Sequence, residues 1–215
     1  MPGVLRYLSH PQVAMETDIP VPEWKLSEIG KHRVKRIAGA PVLRATTRLV
    51  SSGETKAVET ARIMALGIGL EVEIDDAMGE NDRSATGFLP PAEFQDVANQ
   101  FFREPYISVR GWERAIDAQS RIVRATLPYL KQADQGDILL VGHGGVGTLL
   151  YCHFADAPIS RSFDQPNNGG GNYFTIAIDS FRAVHPWRRM EELLESVPCN
   201  REEATDRDIR WYGDN

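Results

Sequence analysis

The chain has 215 residues, of which 42% are hydrophobic and 25% charged, and its formal net charge is −6. This composition is that of a globular protein and is unlike that of a disordered or membrane-spanning chain. Because lysines and arginines are scattered and form no basic stripe, a nucleic-acid partner is not expected. The chain begins without a signal-peptide pattern and has no apolar run long enough to cross a membrane, so we expect a cytoplasmic protein with no membrane partner.

Short apolar runs closed by small or turn-forming residues predict the strands. These runs lie at 3–9, 47–52, 138–141 and 172–180, with a possible edge strand at 181–185. Helical periodicity is found between them, at 26–39, 54–67, 112–132 and 145–155. Gly67 stands where the second helix should stop. The alternation predicts an α/β fold with a mostly parallel central sheet flanked by helices on both faces.

Two segments depart from this alternation. Residues 76–111 contain several glycines and prolines that break any long period, and we interpret them as an irregular insertion over one edge of the sheet. After His185 the pattern predicts one amphipathic helix followed by a polar tail; its apolar positions are Met190, Leu193, Leu194 and Val197. We therefore divide the chain into an α/β domain at 1–185 and a C-terminal helix and tail at 186–215.

Reactive side chains follow three of the predicted strands. His10 follows the first strand, Lys56 lies in the first turn of the helix after the second, and His143 follows the third, just before Gly144. Since ligands gather outside the carboxyl ends of parallel strands, these residues should meet at one edge of the sheet. Two imidazoles, an ammonium group and the N–H groups of helix N-termini together suit a phosphate dianion.

The turn at 78–82 supplies the acid that such chemistry needs. A neutral imidazole can attack phosphorus, while a carboxylic acid protonates the leaving alcohol. Glu80 is the candidate acid, and Asp82 is its nearest substitute. No HExxH pattern or close ligand spacing indicates a metal, so we expect neither a metal nor an organic cofactor.

Six short segments resemble the histidine-phosphatase (phosphoglycerate-mutase-like) superfamily, in the family's order. The first, LRYLSHPQV, carries Ser9, His10 and Pro11 where the family has a strand and Arg-His-Gly. SSGETKAVETARIMA at 51–65 is similar to the family's Ser-Ser-Pro-x-x-Arg-Ala-x-x-Thr-Ala helix. The remaining four are LSEIG at 26–30, MGE at 78–80, VGHGG at 141–145 and the strand that opens at Asn172.

The resemblance implies a fold and a set of roles. The fold would be phosphoglycerate-mutase-like, His10 the phosphorylated nucleophile and Glu80 the proton donor. Lys56 and His143 would clamp the phosphate, and we add Ser9 and Gly144 to the phosphate-binding set.

Three positions differ from the family's pattern. Ser9 replaces the first arginine, whose guanidinium fits phosphate bidentately, and Lys56 replaces the second with a point charge. Pro11 replaces the glycine and has no N–H to offer a ligand. A cation from the insertion, such as Arg83 or Arg110, is a candidate substitute for the missing arginine.

The sequence leaves three functions open. The leading hypothesis is a phosphomonoester hydrolase, with a phosphomutase as its variant, acting on a small-molecule phosphomonoester. The second is a homologue that binds a phosphorylated small molecule without turnover, which the altered pocket motivates. The third is a dinucleotide-binding oxidoreductase, because GHGGVG at 142–147 matches the GxGxxG pattern.

Overall fold

A computed structural model describes residues 3–131 and 136–195. Its strands are β1 (Val4–Ser9), β2 (Thr46–Ser51), β3 (Val72–Ile74), β4 (Asp137–Gly142), β5 (Asn172–Ala177) and β6 (Arg182–Arg189). They form one sheet in the order β3-β2-β4-β1-β5-β6, in which the first four strands pair in parallel and β5 pairs antiparallel with both of its neighbours, β1 and β6. The mostly parallel sheet predicted from the sequence is confirmed.

Five helices cover the sheet: α1 (Glu28–Ile37), α2 (Thr55–Ile68), α3 (Pro91–Arg103), α4 (Ala115–Lys131) and α5 (Gly144–Phe154). Side chains alternate along buried β4: Leu140 packs with residues of α3, α4 and α5, whereas Leu139 and Val141 pack with residues of α1 and α2. Helices therefore flank both faces, as predicted. Among the described residues no helix has both the length and the apolar character needed to span a membrane.

The predicted irregular insertion at 76–111 contains the helix α3, which we did not predict. Pro90 precedes the helix and Pro91 is its first residue. Proline suits this position because the N–H it lacks would have no partner inside the helix. The prolines that we interpreted as breakers thus mark a helix start, and α3 buries its apolar side against the sheet's helical layer through Val97 and Phe101.

The C-terminal helix predicted after His185 is wrong for the described residues. β6 continues to Arg189, which pairs with Asn172 at the start of β5. Pairing with β5 satisfies the backbone there, so the strand crosses the boundary that we placed at 185. A short 3₁₀ helix follows at Met190–Leu194. Val197 and the polar tail lie outside the described residues.

Two local predictions also differ from the structure. The three-residue edge strand β3 was not predicted, because two of its residues are exposed and the apolar run is short. Helix α2 passes Gly67 and ends at Gly69, whose φ of 71° is in the left-handed region that favours glycine. Gly67 instead allows close packing with α1, since a Cβ there would lie 2.3 Å from the carbonyl oxygen of Ala38.

Candidate active site

Three parallel strands end at the same edge of the sheet and bring the two sequence-predicted histidines together. β1 leads into His10 and β4 into His143, and the backbone N–H of His10 donates to the carbonyl of Gly142 at 2.9 Å. The imidazole ring centroids lie 5.3 Å apart with an interplanar angle of 69°. The two rings therefore lie side by side at this edge, where His10 lines a cavity and His143 is fully buried.

His10 is held in one tautomer by its neighbour. Its Nδ1 lies 2.8 Å from the carbonyl oxygen of Pro11, which can only accept a hydrogen bond. Nδ1 must therefore carry the proton, and Nε2 keeps a lone pair. Burial lowers the pKa of His10 to about 3, and the nearby His143 and Lys56 lower it too. The imidazole is neutral at ordinary pH, as a nucleophile requires.

His143 is fully buried and fixed from two sides. The hydroxyl of Tyr7 accepts from its backbone N–H at 2.9 Å and donates to its carbonyl at 3.1 Å. Its Nε2 lies 2.8 Å from Oγ of Ser52, and within the described chain Nδ1 has no partner. Burial lowers the pKa of His143, and this effect exceeds the opposite influence of Glu54 and Glu80.

Lys56 lies close enough to His10 and His143 to lower the pKa of both, but its charge is already paired. The side chain is buried, and Nζ donates to the carbonyl of Val21 at 2.9 Å and to the carboxylate of Glu54. Glu54 also accepts from the backbone N–H of Glu80 at 2.8 Å. Burial raises the pKa of Glu54, yet the charges of His143 and Lys56 outweigh burial and lower it to about 2. A carboxylate therefore lies beside the predicted phosphate clamps.

From the sequence, Glu54 was interpreted only as the start of a helix, and its position beside His143 and Lys56 was missed. The available signal was its position, two residues before the lysine that replaces the family's arginine. An acidic residue there is also a normal feature of a helix N-terminus, so the pattern alone did not distinguish the two roles.

Glu80 occupies the N-terminus of α5. One carboxylate oxygen accepts from the N–H of Gly145 at 3.0 Å, and the other accepts from Val146 at 2.8 Å and Asn81 at 3.0 Å. These helix N–H groups are consequently not open to a phosphate. The N–H of Gly144, one residue earlier, has no partner in the described part of the chain.

The same contacts contradict the dinucleotide-binding hypothesis for residues 142–147. The two N–H groups that would hold a pyrophosphate are bonded to Glu80. In addition, α5 leads into β5, which is antiparallel to β1, so the loop does not open the βαβ unit that this fingerprint needs.

Ser9 is not placed to touch a phosphate, contrary to the prediction. The residue is fully buried, and its Oγ donates to Oε1 of Gln165 at 2.7 Å and accepts from the N–H of Asn172 at 3.1 Å. The small side chain thus leaves room for the loop before β5, and the amide of Gln165 enters the site. Gln165 was not identified from the sequence because loop glutamines carry no motif.

Two cavities flank Glu80. One, of about 380 Å³, is lined by His10, Gly144 and Gln165. The other, of about 530 Å³, is lined by Glu54 and by Asp82, the alternative acid. Asp82 does not line the cavity of His10 and accepts from the N–H of Ser84 at 2.8 Å. Glu80 is therefore the better placed of the two predicted acids.

Of the two arginines proposed as substitutes, Arg83 lines both cavities. Its guanidinium carbon lies 5.1 Å from the ring centroid of Phe94 and 5.7 Å from that of Trp112. Arg110 instead forms an exposed ion pair with Glu93 at 2.5 Å and lines neither cavity. Arg83 thus supplies a cation near the site on an aromatic support.

Arg121 of α4 fixes the turn that carries Glu80. Its guanidinium donates to the carbonyls of Ala77 at 2.8 Å, Gly79 at 2.9 Å and Glu80 at 3.2 Å. It also pairs with Glu113 at 2.8 Å. No sequence pattern distinguishes this arginine, because on an amphipathic helix it resembles any residue of the polar side.

The chain matches the profile of the histidine phosphatase superfamily (branch 1) over residues 10–185. A search of curated proteins finds no significant match. Among solved structures it is similar to Bacillus stearothermophilus YhfR, with 22% identity, 86% of this chain and 95% of that chain covered, and a TM-score of 0.70. A mycobacterial glucosyl-3-phosphoglycerate phosphatase in complex with inorganic phosphate follows at 20% identity, 86% and 94% coverage and a TM-score of 0.68.

A phosphoglycerate mutase from Bacillus anthracis has the same fold, with 14% identity, 89% of this chain and 95% of that chain covered, and a TM-score of 0.68. At such identities these structures show the fold, which is phosphoglycerate-mutase-like as expected from the sequence. The profile match extends over most of the chain and includes His10, Glu80 and His143. The protein therefore belongs to the histidine phosphatase superfamily, branch 1.

Proposed function

We propose that this protein is a phosphomonoester hydrolase that acts on a small-molecule phosphomonoester through a phosphohistidine on His10. The observation that carries the proposal is the tautomer of His10: its Nδ1 donates to the carbonyl of Pro11 at 2.8 Å, which leaves Nε2 as the attacking atom. The cavity of about 380 Å³ in front of His10 gives a substrate access to that atom. Family membership supports the same chemistry.

In the first step Nε2 of His10 forms a bond to phosphorus while the bond from phosphorus to the ester oxygen breaks. Glu80, which lines the same cavity, enters this step in its protonated form and gives that proton to the departing alcohol. In the second step water attacks the phosphohistidine, Glu80 takes a proton from that water, and the bond from phosphorus to nitrogen breaks. The products are inorganic phosphate, the alcohol and neutral His10. In a mutase, a second alcohol would replace the water.

The first experiment measures hydrolysis of an aryl phosphate by the parent protein, by H10A and by H32A, a control that removes an exposed histidine of α1. Turnover in the parent and H32A that is lost in H10A supports the proposal, since losing a nucleophile removes the covalent route. An acid-labile phosphoryl group found on His10 by mass spectrometry would identify the intermediate. Equal turnover in the parent and H10A contradicts the proposal.

The role of Glu80 is tested by varying the leaving group. A nitrophenolate leaves without help, whereas an alkoxide needs a proton. E80Q should therefore retain most hydrolysis of nitrophenyl phosphate but lose about 10²-fold or more with an alkyl phosphate. Equal losses with both substrates would assign Glu80 to positioning and not to proton transfer.

A second function is favoured by one specific observation, the Glu54 carboxylate that pairs with Lys56 and lies 3.5 Å from Nε2 of His143. An anion beside His143 opposes entry of a dianion at this edge of the sheet and suits a homologue that binds a phosphorylated small molecule without turnover. Absence of hydrolysis in the parent, together with a melting temperature that phosphate raises, would support this alternative over the hydrolase.

A further inference from the structure

We propose that Gln165 replaces the missing first arginine as a donor to the phosphoryl group of the ligand. The proposal rests on the proposed function to the extent that the pocket at His10 receives a phosphoryl group, whether or not turnover follows. Gln165 lies in the loop between α5 and β5, far in sequence from Ser9, and lines the same cavity as His10. It enters the site because Ser9 is small.

The amide of Gln165 is oriented by Asn172. Its Oε1 accepts from Nδ2 of Asn172 at 3.0 Å and from Oγ of Ser9 at 2.7 Å. The reverse orientation would set the NH₂ group of Gln165 against that of Asn172, whereas the hydroxyl of Ser9 can meet either end of the amide, since it can also donate to the carbonyl of Asn172 at 3.2 Å. Ser9 and Asn172 are both fully buried. Two buried residues therefore hold the oxygen of the amide and turn its nitrogen the other way.

The amide nitrogen of Gln165 lies over Gly144. A Cβ added at residue 144 would come within 2.1 Å of Nε2, so only glycine leaves this space. Within the part of the chain that the structure describes, Nε2 donates to no acceptor. The unpaired N–H of Gly144 belongs to the same cavity wall. The NH₂ group of Gln165 and the N–H of Gly144 thus both lie in the cavity wall beside His10 without an acceptor in the described part of the chain, as an anion site requires.

The backbone of Gln165 is anchored as well. Its N–H donates to Oδ1 of Asp164 at 2.8 Å, and the same oxygen accepts from Thr148 of α5 at 2.9 Å. Arg161 approaches Asp164 at 3.6 Å and binds the backbone of α3 through the carbonyl of Gln95 at 3.0 Å. The loop is therefore tied to two helices, which reduces the conformational entropy that the amide would lose on binding.

A neutral amide changes what the pocket can hold. Arginine offers a charged fork to two phosphate oxygens, whereas Gln165 offers one NH₂ group without charge. Since Lys56 is also paired with Glu54, the pocket carries less positive charge than the family's pair of arginines would give it. We therefore infer that it binds a singly charged phosphoryl group, such as phosphate near pH 5.5, more tightly than a dianion.

The test compares Q165E, Q165A and a control, Q100A, which removes an exposed glutamine of α3. Q165E keeps the oxygen that Ser9 and Asn172 contact but replaces the NH₂ group with an anionic oxygen. Binding of inorganic phosphate is measured by calorimetry, unfolding by urea titration, and aryl phosphate hydrolysis separately. We expect Q165E to weaken phosphate binding about 100-fold and Q165A about tenfold, with Q100A unchanged.

The carboxylate of Q165E would repel phosphate in either role of Gln165, so Q165A decides between the two roles. If Gln165 only supports Ser9, Q165A binds phosphate like the parent whatever its unfolding midpoint, and Q165E loses affinity only through the repulsion of one carboxylate, about tenfold, which overturns the proposal. If Gln165 donates to phosphate, Q165A binds phosphate about tenfold more weakly than the parent, and Q165E about 100-fold more weakly. A parent that binds phosphate without hydrolysing it contradicts the hydrolase but leaves this comparison to be measured. A parent that binds no phosphate overturns the Gln165 proposal.

Discussion

The carboxylate of Glu54 lies 3.5 Å from Nε2 of His143 and pairs with the buried ammonium of Lys56. We predict that E54Q strengthens binding of inorganic phosphate by about tenfold, because the substitution removes a negative charge at contact range and leaves Lys56 to the ligand. Calorimetric titration of both proteins with phosphate at equal pH and ionic strength measures the change. The effect should fall as salt is added.

The matched control for this prediction is E71Q, which removes the charge of an exposed glutamate between α2 and β3. It changes the net charge by the same amount, so a general field effect would appear in both variants. Phosphate affinity that is unchanged or lower in E54Q would mean that Glu54 positions Lys56 and does not compete with the ligand.

Arg121 holds the turn that carries the candidate acid Glu80. Its guanidinium donates to three backbone carbonyls at 77–80. R121K keeps the charge but cannot reach several acceptors at once, so we expect it to lower kcat about tenfold with little change in KM. R124K, on the exposed side of the same helix, is the control. Hydrolysis of an alkyl phosphate is the appropriate assay, since it depends most on Glu80. A kcat for R121K equal to that of the parent would show that the turn at 77–80 keeps Glu80 in place without the guanidinium.

The parts of the site that were predicted from the sequence follow from the parallel sheet. His10 and His143 come directly after a strand, Lys56 lies in the first turn of the helix that follows one, and parallel strands end at one edge. Glu54 and Gln165 were missed for different reasons. Glu54 has a local explanation at a helix start, and Gln165 depends on a loop whose path to Ser9 is set by tertiary packing.

The secondary-structure elements were likewise predicted only in part. Strands with continuous apolar runs, such as β4, were predicted closely because burial on both faces dictates their composition. Helix α3 was missed because Pro90 and Pro91 can break a helix or begin one, and only the packing of Phe101 decides between the two. β6 was predicted too short because its pairing with β5 is not visible in a pattern with one buried residue, Trp187.

Protonation of His10 should cost the folded protein stability. The pKa of His10 is about 3 in the folded state, below the value near 6.5 expected when unfolded, so the unfolded chain binds more protons between these values. The free energy of unfolding should therefore fall as pH falls from about 6.5. Between about pH 7.5 and about pH 5 we expect His10 to account for roughly 1 to 2 kcal/mol.

Urea unfolding of the parent, H10N and H32N at several pH values measures this contribution. H10N should lose less stability than the parent on acidification, while H32N, altered at an exposed position of α1, should follow the parent. Glu54 does not affect this comparison. Because its pKa is lowered to about 2, its contribution to the free energy of unfolding is lost only at lower pH, between about pH 4.5 and about pH 2. Parallel curves for the parent and H10N would contradict the assignment of a strongly depressed pKa to His10.

The space at Ser9 explains why restoring the family's arginine needs two changes. Ser9 is fully buried, and its Oγ is 2.7 Å from Oε1 of Gln165, so S9R alone would force a guanidinium into an occupied volume. We expect S9R to lower the free energy of unfolding by about 2 to 4 kcal/mol. Q165A vacates the neighbouring volume, and S9R/Q165A should recover part of that loss.

The double variant should also bind phosphate at least about tenfold more tightly than Q165A alone, because a guanidinium replaces the lost amide as donor. Comparing Q165A, S9R and S9R/Q165A by urea titration and by phosphate calorimetry gives the coupling between the two positions. Additive effects would show that Ser9 and Gln165 do not share one volume. Strong coupling in both measurements would mean that one arginine has been exchanged for a serine and a glutamine acting together.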